Sequence, residues 1–291
     1  MMRRVVVLGD VMLDVIVRRL APLAPTSDTP SNIRVGRGGS GASLALAVAA
    51  SGHEVIYVGA AGDDGAATIV RDALRGGNVT AQLESVAAPT GTVVSLVGDD
   101  GQRAMLTDRG ANSQLSESFV LGRLAVPFDH LHVSGYVLLD PATRAIGVAA
   151  LALAKERRRS ASVDVCSVSP LRQMTPAVFL EAASGASQIF ANEEEALVLT
   201  GTNDVADALE SLAARFHEVV ITRGAHGAIA AVGETRSRVR AHDVTVLDTT
   251  GAGDAATGTY LGARLREELP ERALEEAMIA SADVVGDLGA D

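Results

Sequence analysis

From about residue 110 onward, short apolar runs alternate with longer runs of helical character, and this alternation constrains the fold more than any other feature. Apolar runs at 130–134, 162–165, 188–191 and 218–222 predict strands; runs at 142–159, 193–200, 204–216, 253–268 and 271–288 predict helices. Strands joined through helices pair by crossover, so the sheet they form is mostly parallel and is covered on both faces. The N-terminal part repeats the pattern, with strands at 5–8 and 53–59 and helices at 42–51 and 66–76. The expected fold class is α/β, a Rossmann-like, mostly parallel sheet flanked by helices. Ligands then bind at the carboxyl ends of the strands. Two segments break the rhythm. Residues 15–37 read as an excursion from the core sheet, with strand-like alternation at 31–36. Residues 79–86 and 92–107 read as strands, the latter folded about a hairpin turn at Asp99-Asp100-Gly101.

A chain of 291 residues is long enough for one large α/β domain with an appendage. Its net charge of −11 argues against nucleic acid as a partner. Lys155 is its one lysine, so a cation acting on a phosphate is an arginine or a metal ion. Cys166 stands alone, which excludes an internal disulfide and a multi-cysteine zinc site. The apolar run at 5–8 is too short for a signal peptide, and that at 145–154 is too short to span a bilayer. The expectation is a soluble, cytoplasmic protein with no membrane partner.

The chemistry concentrates just after the strands. Asp248-Thr249-Thr250-Gly251-Ala252-Gly253-Asp254 links an apolar run to a small-residue helix. Glycines at a helix start leave backbone N–H groups pointing at an anion. An aspartate among them can take a proton from a hydroxyl while the amides hold developing negative charge. That pairing suits phosphoryl transfer to an alcohol. Asn192-Glu193-Glu194-Glu195 reads first as a capping box; it can also serve as an acidic patch orienting a water-solvated Mg²⁺ and ATP phosphates, and the two can hold together. Thr222-Arg223-Gly224-Ala225-His226-Gly227 reads as a glycine turn, or as a loop lining nucleotide phosphates. Gly36-Arg37-Gly38-Gly39-Ser40-Gly41 fits a dinucleotide fingerprint but lacks its compact strand–helix–strand context. Its glycines better suit close backbone approach to a small polyhydroxylated ligand. Asp10 and Asp14, flanking the end of the first strand, can accept hydrogen bonds from adjacent sugar hydroxyls. His130 and His132 share one strand face; without a third ligand nearby they read as structural.

Together these residues resemble the ribokinase-like carbohydrate kinases, the PfkB family, over nearly the whole chain and in the family's order. Gly9-Asp10 with Asp14 resembles its first strand end, and Gly38-Gly39-Ser40-Gly41-Ala42 its N-terminal glycine signature. Residues 58–64 resemble the segment that follows, and Gly110-Ala111-Asn112 its Gly-Ala-Asn turn. Asn192 to Glu195 is similar to its Asn-x-x-Glu motif, residues 222–227 to its phosphate loop, and Asp248 to Asp254 to its C-terminal signature. The family has Asn where this chain has Ser43.

The resemblance implies an α/β domain over 1–12, 38–86 and 110–291 and a small β lid over 13–37 and 87–109. It implies that Asp254 is the base and that the amides of Gly251, Ala252 and Gly253 form the anion hole. Asn192 and Glu195 would organise Mg²⁺ and phosphates; Thr222, Gly224 and Gly227 would line ATP. Asp10, Asp14, Gly38, Gly39 and Ser43 would face the acceptor. Asp248 and Thr250 would help hold a monovalent cation, usually K⁺. Lids in this family often pair into homodimers. The reading is an ATP-dependent kinase moving the γ-phosphoryl group to a hydroxymethyl group of a sugar or nucleoside. The alternatives are a catalytically silent sugar- or nucleotide-binding sensor of the same fold and, resting on residues 36–41 alone, a nicotinamide-dependent oxidoreductase.

Overall fold

A computed structural model of the chain describes residues 1–98, 103–245 and 249–286. The chain begins β1 (Arg4–Leu8), β2 (Met12–Arg19), β3 (Ser31–Gly38), α1 (Ser40–Ala50), β4 (Glu54–Ala61) and α2 (Gly65–Gly76). It continues β5 (Val79–Ser85), β6 (Gly91–Val97), β7 (Arg103–Asp108), α3 (Glu117–Arg123), β8 (His130–Val133), α4 (Gly135–Leu139) and α5 (Arg144–Glu156). Then come β9 (Ser160–Asp164), α6 (Val168–Met174), α7 (Pro176–Ala182), β10 (Gln188–Asn192), α8 (Glu193–Thr200), α9 (Val205–Ala213) and β11 (Glu218–Thr222). The last elements are β12 (Ala228–Val232), β13 (Thr235–Val239), α10 (Ala252–Leu265) and α11 (Pro270–Gly286).

Nine strands form the main sheet in the order β13-β12-β11-β10-β9-β8-β1-β4-β5. The seven from β5 to β11 run parallel, and β12 and β13 add an antiparallel edge. β1 shows why this sheet is central. Val5 and Val7 pack with Leu44 of α1, Leu74 of α2, Leu261 of α10 and Leu274 of α11. Val6 and Leu8 face the other way, toward Val120 of α3, Leu151 of α5, Leu199 of α8 and Leu212 of α9. A strand apolar on both faces needs a helical layer on each. After β1 the chain builds outward through β4 and β5, then returns to place β8 on the opposite side of β1. The topological switch point, where such sheets open a crevice, therefore lies at the carboxyl ends of β1 and β8.

The second sheet has four strands in the order β3-β2-β6-β7. β2 pairs antiparallel with β3 and parallel with β6, and β6 pairs antiparallel with β7. The hairpin turn expected at 99–101 lies outside the described residues. Two motif residues fasten this sheet to the main body. Asn112, buried, accepts a hydrogen bond from Val11 N at 2.7 Å and donates to Val11 O and Arg109 O at 2.8 and 2.9 Å. Asp64 caps α2 by accepting from Ala67 N at 2.8 Å and also accepts from Thr90 N and Thr90 Oγ1 at 2.8 and 2.7 Å.

Several elements went unread in the sequence. β2 sits in the excursion, where its sequence MLDVIVRR lacks clean alternation. β12 is AIAAV, buried along nearly its whole length, and its alanines give no strand signal. The helices α3, α6 and α7 are seven residues each, too short for helical periodicity to emerge. Among the described residues no helix is long and apolar enough to cross a membrane.

Candidate active site

Glycines seat Asp10, just after β1, and Asp14, on β2 of the second sheet. Gly39 has φ +96°, and a Cβ there would stand 2.4 Å from Asp10 O. A Cβ at Gly38 would fall 1.9 Å from Asp14 Oδ1. A Cβ at Gly39 would collide with the backbone of Asp10, and one at Gly38 would displace the Asp14 carboxylate, so the glycine pair leaves the turn and that carboxylate in place. Asp10 is only 5% exposed, and among the described residues its Oδ1 has no hydrogen-bond partner. Burial raises the Asp10 carboxyl above its ordinary range, opposed by the positive charge of Arg109. A buried acceptor left open in this way fits a ligand that brings a donor.

Ser43 is already engaged. Its Oγ accepts from Arg37 Nη1 at 2.8 Å and donates to Gly39 O at 3.2 Å. The shorter side chain thus carries a guanidinium beside it. Arg109, unassigned by the motifs, pairs with Asp140 at 2.9 Å and stacks over Tyr136. Ser113 also donates to Asp140, at 2.7 Å.

Across the crevice, α10 begins without a side-chain cap. Gly251 is its N-cap, left-handed at φ +77°, and the first well-formed backbone bond runs from Ala255 N to Gly251 O at 2.8 Å. Among the described residues, a Cβ at Gly253 would meet nothing within 4 Å. An uncapped helix start with a glycine facing open space fits a phosphate, whose oxygens accept from first-turn amides. Asp254, in the same turn, has its Oδ1 2.6 Å from Ser40 Oγ. Burial pushes the Asp254 carboxyl up to about 8; the Ser40 hydroxyl lowers it, Asp164 and Asp10 raise it, and Arg37 lowers it. A base with that affinity for protons is matched to neutral pH.

The remaining motif residues line the same edge further along. Asn192 and Thr222 end the neighbouring strands β10 and β11 and are paired in register. Asn192 Oδ1 accepts from Glu195 N at 2.8 Å while Glu195 Oε2 accepts from Asn192 N at 2.9 Å, the complete capping box. Both side chains are therefore committed to the helix start, and burial holds the Glu195 carboxyl up at about 7. Glu193 and Glu194 are more exposed, the former paired with Arg223 at 3.3 Å. Among the described residues no group of three or more candidate ligands gathers to hold a metal. Glu193 and Glu194, carboxylates in the first turn of α8, are the donors on this edge that could face a hydrated Mg²⁺. After β11, Gly224 (φ +52°) opens to free space, and Gly227 (φ +85°) presses its Cα side to Val239 O, 2.0 Å from an added Cβ. Thr250 lies just before α10, and Asp248 lies outside the described residues.

Sequence reasoning missed Ser40 and Asp164. Ser40 Oγ is 3.2 Å from Asp164 Oδ2, and Asp164 Oδ1 accepts from Gly135 N at 2.8 Å. Both histidines are fully buried: His130 bonds to Ser160 and Ser162, while His132 bonds to Ser162 and places Nε2 3.5 Å from Asp164 Oδ1. Only the tertiary fold brings these residues together.

A main parallel sheet with a second sheet over its carboxyl edge, an uncapped glycine-rich helix start and an aspartate inside it define a ribokinase-like phosphotransferase fold. The family model for pfkB family carbohydrate kinases matches residues 2–291, and the chain belongs to that family. It is 31% identical to an ATP-dependent ribose-1-phosphate kinase of Halopiger xanaduensis, over 99% of this chain and 94% of that protein. The fold is similar to that of an adenosine kinase from Sinorhizobium meliloti, with TM-score 0.90, 24% identity and 99% and 95% of the two chains covered. It is also similar to a fructokinase from Vibrio cholerae bound to fructose, ADP and calcium ion, with TM-score 0.82, 26% identity and 99% and 94% covered. The chain is a phosphotransferase with an alcohol group as acceptor.

Proposed function

We propose that this protein is an ATP-dependent kinase that moves the γ-phosphoryl group to a hydroxymethyl group of a sugar or nucleoside. The observation that carries the reading is Asp254 in the first turn of an uncapped helix beside Gly253, which faces open space. Asp254 takes the proton of the acceptor hydroxyl as its oxygen attacks the γ-phosphorus in line. The amides of residues 251–253 stabilise charge on the transferring group. Asp10, with its open buried oxygen, and Asp14 accept from acceptor hydroxyls, and Gly38, Gly39 and Ser43 shape that wall. Thr222, Gly224 and Gly227 line the nucleotide. Asn192 and Glu195 fix the start of α8, and with it the acidic patch that orients hydrated Mg²⁺; Mg²⁺ neutralises phosphate charge when bound. Asp248 and Thr250 are assigned to a monovalent cation site, K⁺ in kind.

In this reading residues 13–37 and 87–109 act as a lid over a domain made of 1–12, 38–86 and 110–291. The lid also supports a homodimer. Val35, Val15, Val94 and Leu106 follow one another across the sheet on the face opposite Asp14. Val35 and Leu106 are 55% and 60% exposed, an apolar edge suited to a second copy. The protein is assigned to the cytoplasm.

The test is ADP formation from MgATP with K⁺ present, across sugars, sugar phosphates and nucleosides. The reading expects one acceptor class to drive ADP and phosphorylated product in equal amounts. ATP binding with no acceptor-dependent ADP across the panel would contradict it and favour a ligand sensor.

A further inference from the structure

The contacts around Ser40 carry a requirement about protons. A serine hydroxyl has one proton and two lone pairs. Ser40 Oγ lies 2.6 Å from Asp254 Oδ1 and 3.2 Å from Asp164 Oδ2. One proton cannot make both contacts attractive, since an ionised carboxylate only accepts. The second hydrogen bond needs a proton on one of the two carboxyls. Asp164 is the worse place for it. Its Oδ1 already accepts from Gly135 N at 2.8 Å, and His132 Nε2 stands 3.5 Å from the same oxygen. The shorter contact, on the Asp254 side, suits the carboxylic acid donating to the serine.

We propose that Asp254, Ser40 and Asp164 form one proton-sharing unit, in which Asp254 donates to Ser40, Ser40 donates to an ionised Asp164, and Asp164 sets when the base becomes available. Asp164 and Ser40 are positioning residues; neither is assigned contact with the acceptor. The inference rests on the reading of Asp254 as the base. Before turnover the proton on Asp254 leaves to solvent. The acceptor O–H then gives its proton to the freed carboxylate as oxygen bonds to the γ-phosphorus and the bond to the ADP oxygen breaks.

The surroundings agree on direction. Asp164 and Asp10, on the strand ends of β9 and β1, add negative charge near Asp254, and Arg37 of β3 adds positive charge. Tyr136 of α4 and Cys166 after β9 face the same space and are kept neutral, both pushed up by burial. Cys166 Sγ stands 3.4 Å from Ser134 Oγ and 3.8 Å from Ser40 Oγ. For Asp164, burial opposes ionisation, but His132 and the Gly135 amide outweigh it and hold the carboxyl below its ordinary range.

The experiment titrates the free protein, labelled with ¹³C at aspartate carboxyls, from about pH 5 to about pH 10 by NMR. The Asp254 resonance is the one missing from Asp254→Asn. The wild-type midpoint is expected near about 8. Asp164→Asn keeps the shape, removes the charge and leaves Ser40 free to donate to Asp254, so the midpoint falls by about one unit or more. In the proposed unit Ser40 accepts from neutral Asp254, so Ser40→Ala removes a partner of the acid form and the midpoint falls as well. A rise in Ser40→Ala would mean that Ser40 donates to an ionised Asp254, and it overturns the proposed direction of the bond. An ordinary wild-type midpoint near 3.8, or one unmoved by Asp164→Asn, overturns the inference. The wild-type titration decides alone if either variant fails to fold. Either overturning result alongside an Asp254→Asn variant that forms no ADP leaves the kinase reading intact. ADP formation at the wild-type rate in Asp254→Asn removes the base and this inference together.

Discussion

At the scale of single residues, glycines at this site serve two different ends, and substitution separates them. Gly227 is required by the fold: its φ is +85°, and a Cβ would stand 2.0 Å from Val239 O. Gly227→Ala is expected to cost about 2 kcal/mol or more of stability in urea unfolding. At Gly253 an added Cβ would meet nothing within 4 Å among the described residues. Alanine suits a helix better than glycine, so Gly253→Ala should hold or raise stability by up to about 1 kcal/mol. Its methyl would stand where the phosphoryl group is proposed to sit, so turnover should fall about tenfold or more. Equal activity in Gly253→Ala would take that space away from the reaction.

At the scale of elements, residues of the family-like segments turn out to join parts. Asp64 lies in the segment 58–64 and works as a cap and a clasp, holding both α2 and the Thr90 entry to β6. Burial would raise its carboxyl, yet the Thr90 and Ala67 bonds win and hold it below the ordinary range. Asp64→Ala should lose about 1–3 kcal/mol, read as a lower urea midpoint. Local motifs were legible because helix starts, caps and glycine turns are written in adjacent residues. Asp254 could be placed at a helix start from seven consecutive letters, and Asn192 to Glu195 proved to be the capping box that its spacing allows. Ser40 and Asp164 could not be found that way. Their contacts join residues 214 and 124 apart, through a sheet whose strand order no local pattern states. β12 was invisible for a different reason, since buried alanine reads as helix until a neighbouring strand claims it.

At the scale of the whole molecule, charge and burial set a pH dependence. Asp254 and Glu195 are both raised by burial, to about 8 and about 7. Each keeps its proton to higher pH when folded than when unfolded. Their contribution is complete below the ordinary carboxyl range and is lost as pH climbs through about 7 and about 8. Thermal midpoints of the ligand-free protein should therefore fall as pH rises across that window, and Glu195→Gln should flatten the slope. A slope unchanged in Glu195→Gln would mean that Glu195 is not held protonated, and no fall at all in the wild type would mean the same of both groups. The exposed row on the second sheet yields a prediction at the same scale. Sedimentation should find a dimer, and Val35→Lys with Leu106→Lys should give a monomer.

The central claim is that Asp254 removes the proton of the acceptor hydroxyl. Its most direct test compares Asp254→Asn with the wild type, using MgATP and whichever acceptor the panel identifies, and measures kcat alongside the binding of both ligands. The account predicts a kcat lower by about 10²–10⁴-fold with both affinities nearly unchanged. Wild-type turnover in Asp254→Asn would contradict it.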